Sequence, residues 1–167
     1  MKAIVAIQYS VSDCSLGSVL VASSDKGVCA VSLAASPAIL VQDLQKRFPE
    51  ARLVAAAATE QHNEVISFID EPSGAFNVPL DARGTDFQRK VWRALREIPA
   101  GATASYLDIA NRIGSPKSVR AVAQACAANP IAVAIPCHRV VRTDGGLSGY
   151  RWGVARKRAL LAREGAR

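Results

Sequence analysis

Over its first third the chain alternates apolar and polar positions with the two-residue period of half-buried strands. Residues 3–9 and 16–22 read as strands, and Val28–Leu33 as a third. Ser24-Asp25-Lys26-Gly27, between the last two, is a hairpin turn signal. The period then changes. Ser36-Pro37 supplies an N-cap followed by proline at the first helical position, and a helix is predicted as far as Phe48. A second helix is predicted over Glu60–Ile69, then a loop at Glu71-Pro72-Ser73-Gly74 and a short extended piece over Asn77–Asp81. These elements make a small α+β unit that ends at Ala82-Arg83-Gly84.

The second half is helical in pattern. Thr85-Asp86-Phe87-Gln88 is a capping box, threonine at the N-cap and glutamine three residues on. Phe87, Val91, Leu95 and Ile98 follow at helical spacing until Pro99-Ala100-Gly101. Ser105–Ile113 reads as a short helix with Leu107, Ile109, Ala110 and Ile113 apolar, and Gly114 stops it. Ser115-Pro116 restarts a helix predicted to reach about Ala128. Two short helices joined by a glycine turn match a helix-turn-helix over residues 105–128. The second helix is slim, with alanine at 121, 123, 125, 127 and 128. Val119, Val122 and Cys126 are expected to pack inwards, whereas Arg120 lies off that face, a long cation able to probe a groove. Ile131–Ile135 reads as a buried strand, and Val154–Arg163 as the last helix.

Composition narrows the class. With 167 residues, half of them hydrophobic, the chain can bury a sizeable core in one or two small domains. It has no apolar run of membrane-spanning length, and Met1-Lys2-Ala3-Ile4 does not open a signal peptide, so a cytoplasmic protein is expected. Four cysteines, Cys14, Cys29, Cys126 and Cys137, show no CxxC pairing and suit a reducing compartment. With only His62 and His138 beside them, a metal site would require long-range convergence, and none is expected. Charge is uneven. Residues 1–82 carry 5 basic and 9 acidic side chains, a net −4, whereas residues 83–167 carry 16 and 5, a net +11. That asymmetry points to a polyanion for the second half, or else to a solvated basic face.

The chemistry concentrates in Pro136-Cys137-His138-Arg139-Val140. Proline fixes its own φ and biases Ile135 towards extended geometry, so stiff backbone presents the cysteine. A free thiol is a few per cent thiolate at neutral pH and needs a base. His138 is the obvious one, but neighbouring side chains of an extended segment point to opposite faces, so a bridging water or a kink is required.

Pro-Cys-His-Arg-Val resembles the acceptor motif of the O6-alkylguanine-DNA alkyltransferases, also called methylated-DNA–protein-cysteine methyltransferases. Ser105-Tyr106, Ser115-Pro116-Lys117-Ser118-Val119-Arg120-Ala121-Val122, Asn129-Pro130, Gly149-Tyr150-Arg151-Trp152-Gly153 and Leu160-Leu161-Ala162-Arg163-Glu164 follow the family pattern in order. The resemblance runs from about Gly84 to Glu164 and more weakly through Asp13-Cys14, Lys26-Gly27 and Pro79-Leu80-Asp81. It is strongest towards the alkyl-acceptor half of the bacterial adaptive-response members.

The resemblance implies a ribonuclease-H-like scaffold domain over residues 1–82 and a DNA-binding, alkyl-acceptor domain over 83–167. It implies irreversible transfer of an alkyl group from O6-alkylguanine in duplex DNA to Cys137, one turnover per molecule, without cofactor or metal. His138 would be the base through water, Glu164 would orient it, and Tyr106 would donate to the purine. The recognition helix would enter the minor groove, Arg120 filling the gap left by an extruded base, with Ser115, Lys117, Ala121 and Gln124 also against DNA. Asn129, Val140, Tyr150 and Arg151 would form the base pocket, and the protein would act as a monomer. Three rivals stand beside this reading: a cysteine hydrolase, which would turn over, a lesion-binding module, which would lack the acceptor cysteine, and a transcriptional activator, as in adaptive-response members that carry an added metal-binding regulatory half.

Overall fold

The computed structural model describes residues 5–72 and 76–165. The expected strand start at residues 3–4 and the expected loop residues Ser73 and Gly74 lie outside the described residues. Contacts divide the chain into two compact units, Met1–Ala82 and Arg83–Arg167.

In the first unit, β1 (Ala6–Cys14), β2 (Gly17–Ser24) and β3 (Gly27–Ala34) form an antiparallel meander. A fourth strand, β4 (Arg52–Ala55), was not foreseen; it pairs parallel with β1 and gives the order β3-β2-β1-β4. Helix α1 (Pro37–Arg47) returns the chain to that edge. Its Leu40 and Leu44 pack on Ile7, Leu20, Ala22, Cys29 and Ala30. Helix α2 (Glu60–Asp70) contacts β1 and β2 and buries His62, Val65 and Ile69. His62 is fully buried, with Ser10 Oγ 2.9 Å from Nδ1 and Ser23 Oγ 2.5 Å from Nε2, so both ring nitrogens are satisfied. At Gly27 φ is +148°, and a Cβ there would sit 2.5 Å from the Pro79 carbonyl oxygen.

In the second unit, α3 (Asp86–Arg96) carries the expected capping box, with Gln88 N donating to Thr85 Oγ1 at 3.1 Å and Thr85 N to Gln88 Oε1 at 2.9 Å. Trp92 Nε1 donates to the Ala125 carbonyl at 2.9 Å and ties α3 to α5 (Val119–Ala127). Helix α4 (Tyr106–Arg112) opens on a second capping box, Ser105 with Asp108. Gly114 at φ +75° ends it, and Ser115 N closes the turn on the Ala110 carbonyl at 2.9 Å. Helix α5 begins at Val119, three residues after the predicted proline start, because Ser115–Ser118 forms a turn of its own. Leu107, one of the apolar positions of this helix, is 40 % exposed.

Ile131–Ile135 is a correction to the sequence reading. The segment is buried, but it folds as tight turns rather than a strand. Val133 takes a left-handed φ of 68°, unusual for a β-branched residue. Cys137–Arg139 is likewise not extended: it is one turn of 3₁₀ helix. Beyond it, β6 (Val140–Val141) pairs parallel with β5 (Ala104–Ser105). Helix α6 (Val154–Arg163) contacts the 3₁₀ turn.

Candidate active site

Asn129 organises the site. It is fully buried; its Nδ2 donates to the Ile135 carbonyl at 2.8 Å and to Cys137 Sγ at 3.3 Å, and its Oδ1 accepts from Ile131 N at 2.9 Å. One side chain therefore holds both ends of the loop that presents the cysteine. Cys137 is 5 % exposed. Burial pushes its thiol up to about 11, against the opposing pull of the Asn129 bond and of Lys157 and Arg151. At neutral pH the group is a thiol, so the site needs a base at the moment of attack.

His138 has the protonation state that such a base would need. Its Nε2 lies 2.8 Å from Glu164 Oε1, with both side chains fully buried. The carboxylate only accepts, so Nε2 carries the proton. Burial depresses the imidazole below its ordinary value despite the bond and charge of Glu164, and the charges of Arg139 and Lys157 lower it further. Arg139 donates from Nε to Glu164 Oε2 at 3.0 Å, from Nη2 to Oε1 at 2.8 Å and from Nη1 to the Ile98 carbonyl at 2.6 Å. Burial would raise Glu164, but the bonds from His138 and Arg139 hold it at about 2. A neutral histidine protonated at Nε2 leaves Nδ1 as an acceptor, and Nδ1 has no hydrogen-bond partner among the described residues.

Cys137 opens on a cavity of about 480 Å³ lined by Tyr106, Ala123, Cys126, Ala127, Ser148, Gly149, Tyr150 and Arg151. The slim face of α5 supplies Ala123, Cys126 and Ala127 as one wall. Burial raises Tyr106 and Tyr150, keeping both phenols protonated. Tyr150 packs edge-on to Trp152 with centroids 5.3 Å apart, and its hydroxyl has no partner among the described residues. Arg151 lies 5.7 Å over the Trp152 ring and reaches the Asn129 carbonyl at 3.4 Å.

The expected site residues thus fall into four groups. Cys137, Tyr106, Tyr150 and Arg151 meet at the cavity, and His138 and Glu164 pair behind it. Asn129 and Val140 are buried behind the wall rather than lining it. Lys117, Arg120 and Gln124 are exposed, Ser115 and Ala121 half-buried, and all five stand on α5 and the turn before it, outside the cavity. Sequence reasoning missed Arg139 and Lys157. Lys157 is 1 % exposed, its Nζ donating to the Val140 carbonyl at 2.7 Å and to Ser148 Oγ at 3.2 Å. In sequence it is one more cation in a basic helix, with no signal of burial. Among the described residues no cluster of three histidine, cysteine or acidic side chains could hold a metal. None of the described helices is long and apolar enough to cross a membrane.

A buried thiol on a cavity wall, backed by a histidine–carboxylate pair and lying in the basic unit, defines a cysteine-centred site of an uncommon kind. The family described as 6-O-methylguanine DNA methyltransferase, DNA binding domain, matches residues 86–166. The inducible methylated-DNA–protein-cysteine methyltransferase of Bacillus subtilis is 42 % identical over 144 residues, 84 % of this chain and 80 % of that protein. The bifunctional transcriptional activator/DNA repair enzyme Ada of Escherichia coli is 54 % identical over 95 % of this chain, which spans only 46 % of Ada's length. A crystal structure of Mycobacterium tuberculosis OGT in complex with DNA superposes with a TM-score of 0.81 at 34 % identity, covering 95 % of this chain and 92 % of that one. The chain belongs to the methylated-DNA–protein-cysteine methyltransferase family.

Proposed function

We propose that this chain repairs O6-alkylguanine in duplex DNA by moving the alkyl group irreversibly to Cys137, one transfer per molecule. The observation that carries the reading is the pairing of a buried thiol with a base-sized cavity of about 480 Å³ in the half of the chain that carries +11. A base inside a duplex cannot reach Cys137, so the damaged nucleotide leaves the stack and enters the cavity.

His138 Nδ1 takes the thiol proton through a bridging water, with Glu164 holding the ring and stabilising the imidazolium. Sulfur attacks the alkyl carbon, the S–C bond forms and the C–O6 bond breaks. The electron pair passes into the purine, where the Tyr106 hydroxyl meets the growing charge. The product is a thioether, for which the site offers no regenerating group, so the protein is consumed.

The α4–Gly114–α5 arrangement supports a helix-turn-helix that enters the minor groove, with Arg120 replacing the extruded base and Ser115, Lys117, Ala121 and Gln124 beside it. The β3-β2-β1-β4 sheet supports a ribonuclease-H-like scaffold role for residues 1–82. We read the protein as a cytoplasmic monomer.

The test is intact-protein mass after mixing with duplex containing O6-methylguanine. One added methyl, mapped to Cys137 and absent from Cys137→Ala, is expected, with repaired bases reaching a plateau of no more than one per protein. Repair that keeps rising past one per protein would identify a hydrolase instead.

A further inference from the structure

The +11 of residues 83–167 is not gathered on the helix proposed to enter DNA. Helix α5 holds one cation, Arg120, and the turn before it holds Lys117. Helix α3 holds four in eleven residues, Arg89, Lys90, Arg93 and Arg96, and all four are exposed. Arg89, Arg93 and Arg96 are spaced by four and then three residues, so they share one face of the helix. Val91, Trp92 and Leu95 are buried on the other face, where Trp92 Nε1 donates to the Ala125 carbonyl of α5. The arginine stripe therefore points away from α5 and forms a second basic surface on the same unit.

The helix itself does not account for the stripe. Cations in the last turn complement the helix dipole, which covers Arg93 and Arg96 but not Arg89 and Lys90 in the first half. Like charges three and four residues apart repel, so the arrangement works against α3. Acid on the helix sits at its two ends: Asp86 pairs with Arg89, and Glu97 is the C-cap. From Arg89 to Arg96 the helix rises by about 10 Å, the axial length of about three base pairs and so of about three phosphates on one strand. We propose that the α3 stripe is a second DNA surface, holding the phosphate backbone of another duplex segment while α5 engages the damaged one. This rests on the reading of DNA as the partner given above. The surface reads no sequence, because guanidinium groups on one exposed helix face offer phosphate oxygens only charge and donors. A chain held by a second segment stays with the DNA when α5 lets go of an undamaged site, so the search passes from one segment to the next.

The test uses the whole chain and two duplexes. The first is short, biotinylated, carries one O6-methylguanine and seats one protein; the second is fluorescent and lesion-free. Cys137→Ala holds the lesion in place without transfer. Loaded on the captured first duplex, it should retain the second, and retention should fall as salt rises. Adding Arg93→Gln and Arg96→Gln together should cut retention by roughly tenfold or more and lower its salt slope by about two, one for each lost phosphate. In the chain that keeps Cys137, the same pair of substitutions should leave single-turnover methyl transfer on the short duplex unchanged. Absence of retention before the arginines are altered would leave the stripe a solvated face. Equal losses of transfer and retention would assign it to the duplex that carries the lesion. Retention that needs two proteins per captured duplex, read from the stoichiometry, would seat a second copy of the chain on it. Each of these three outcomes overturns the second DNA surface. Failure of the unaltered protein to gain a methyl at Cys137 would refute the repair reading instead, and is told apart by mass.

Discussion

Arg139 grips Glu164 with two guanidinium nitrogens and places a positive charge beside His138. Burial first, and that charge in addition, keep His138 neutral, so its Nδ1 lone pair is available near pH 7. Arg139→Met would leave Glu164 to His138 alone. The imidazole pKa should then rise, and the acid limb of the single-turnover rate should move to higher pH. A profile between about pH 5 and pH 8 checks this; an unmoved limb would reduce Arg139 to packing. Glu164 also links folding to pH. Its folded value of about 2 lies below the ordinary 4.5, so its stabilisation is complete above 4.5 and is lost as pH falls through 2. The shift corresponds to on the order of 3 kcal/mol. Buried neutral His138 acts in the same direction, losing its contribution as acid charges the unfolded ring below 6.5. Glu164→Gln should therefore be less stable at neutral pH and should show a flatter dependence of urea stability on pH over the acid range. An undiminished slope would place the acid sensitivity elsewhere.

At the scale of elements, two glycines with positive φ should respond differently to alanine. Gly114→Ala meets nothing within 4 Å, so its cost is the left-handed backbone alone, about 1 kcal/mol. Gly27→Ala adds a contact of 2.5 Å with the Pro79 carbonyl oxygen, which is backbone and cannot swing aside. Chemical unfolding should show a distinctly larger loss for Gly27→Ala; equal losses would mean that the 76–82 segment yields freely. The same comparison explains what the sequence made legible. Helix α3 was readable because its cap, its apolar spacing and its proline stop are all local. Ile131–Ile135 misled because a run of Ile, Val and Ala has strand propensity, whereas its actual course is set by Asn129 hydrogen bonds and by Val133 at φ 68°. Strand β4 was missed because four half-buried residues carry little period, and their pairing with β1 comes from tertiary return of the chain. The motif named Cys137, His138, Tyr106 and Glu164 but gave no sign that Arg139 and Lys157 are buried. Long cations in basic stretches read as surface, and only packing reveals otherwise.

At the scale of the molecule, charge and chemistry share one unit: residues 83–167 carry both the net +11 and the cavity at Cys137. On the proposed function, attraction to phosphate would bring DNA to that unit without selecting a lesion. Selection would then require the base to leave the duplex, at a cost of about a few kcal/mol of unpairing and unstacking. Arg120 is exposed on α5, and Ala123 and Ala127, which wall the cavity, follow it at i+3 and i+7 on the same helical face, so it stands about one turn before the place where an extruded base would lodge. A side chain that fills the vacated stack stabilises the extruded state, whereas a phosphate contact stabilises bound DNA whether or not the base is out. Single-turnover rates at saturating DNA separate the two. With O6-methylguanine opposite cytosine, Arg120→Ala should slow transfer by roughly 10–100-fold, returning part of the extrusion cost to the reaction. With the lesion opposite an abasic site, little pairing remains to be broken, and the loss should shrink towards unity. Duplex affinity should fall only modestly in either case, since one cation among many contributes to it. Equal losses on both duplexes would leave Arg120 as an ordinary phosphate contact and move the gap-filling role to another residue of α5.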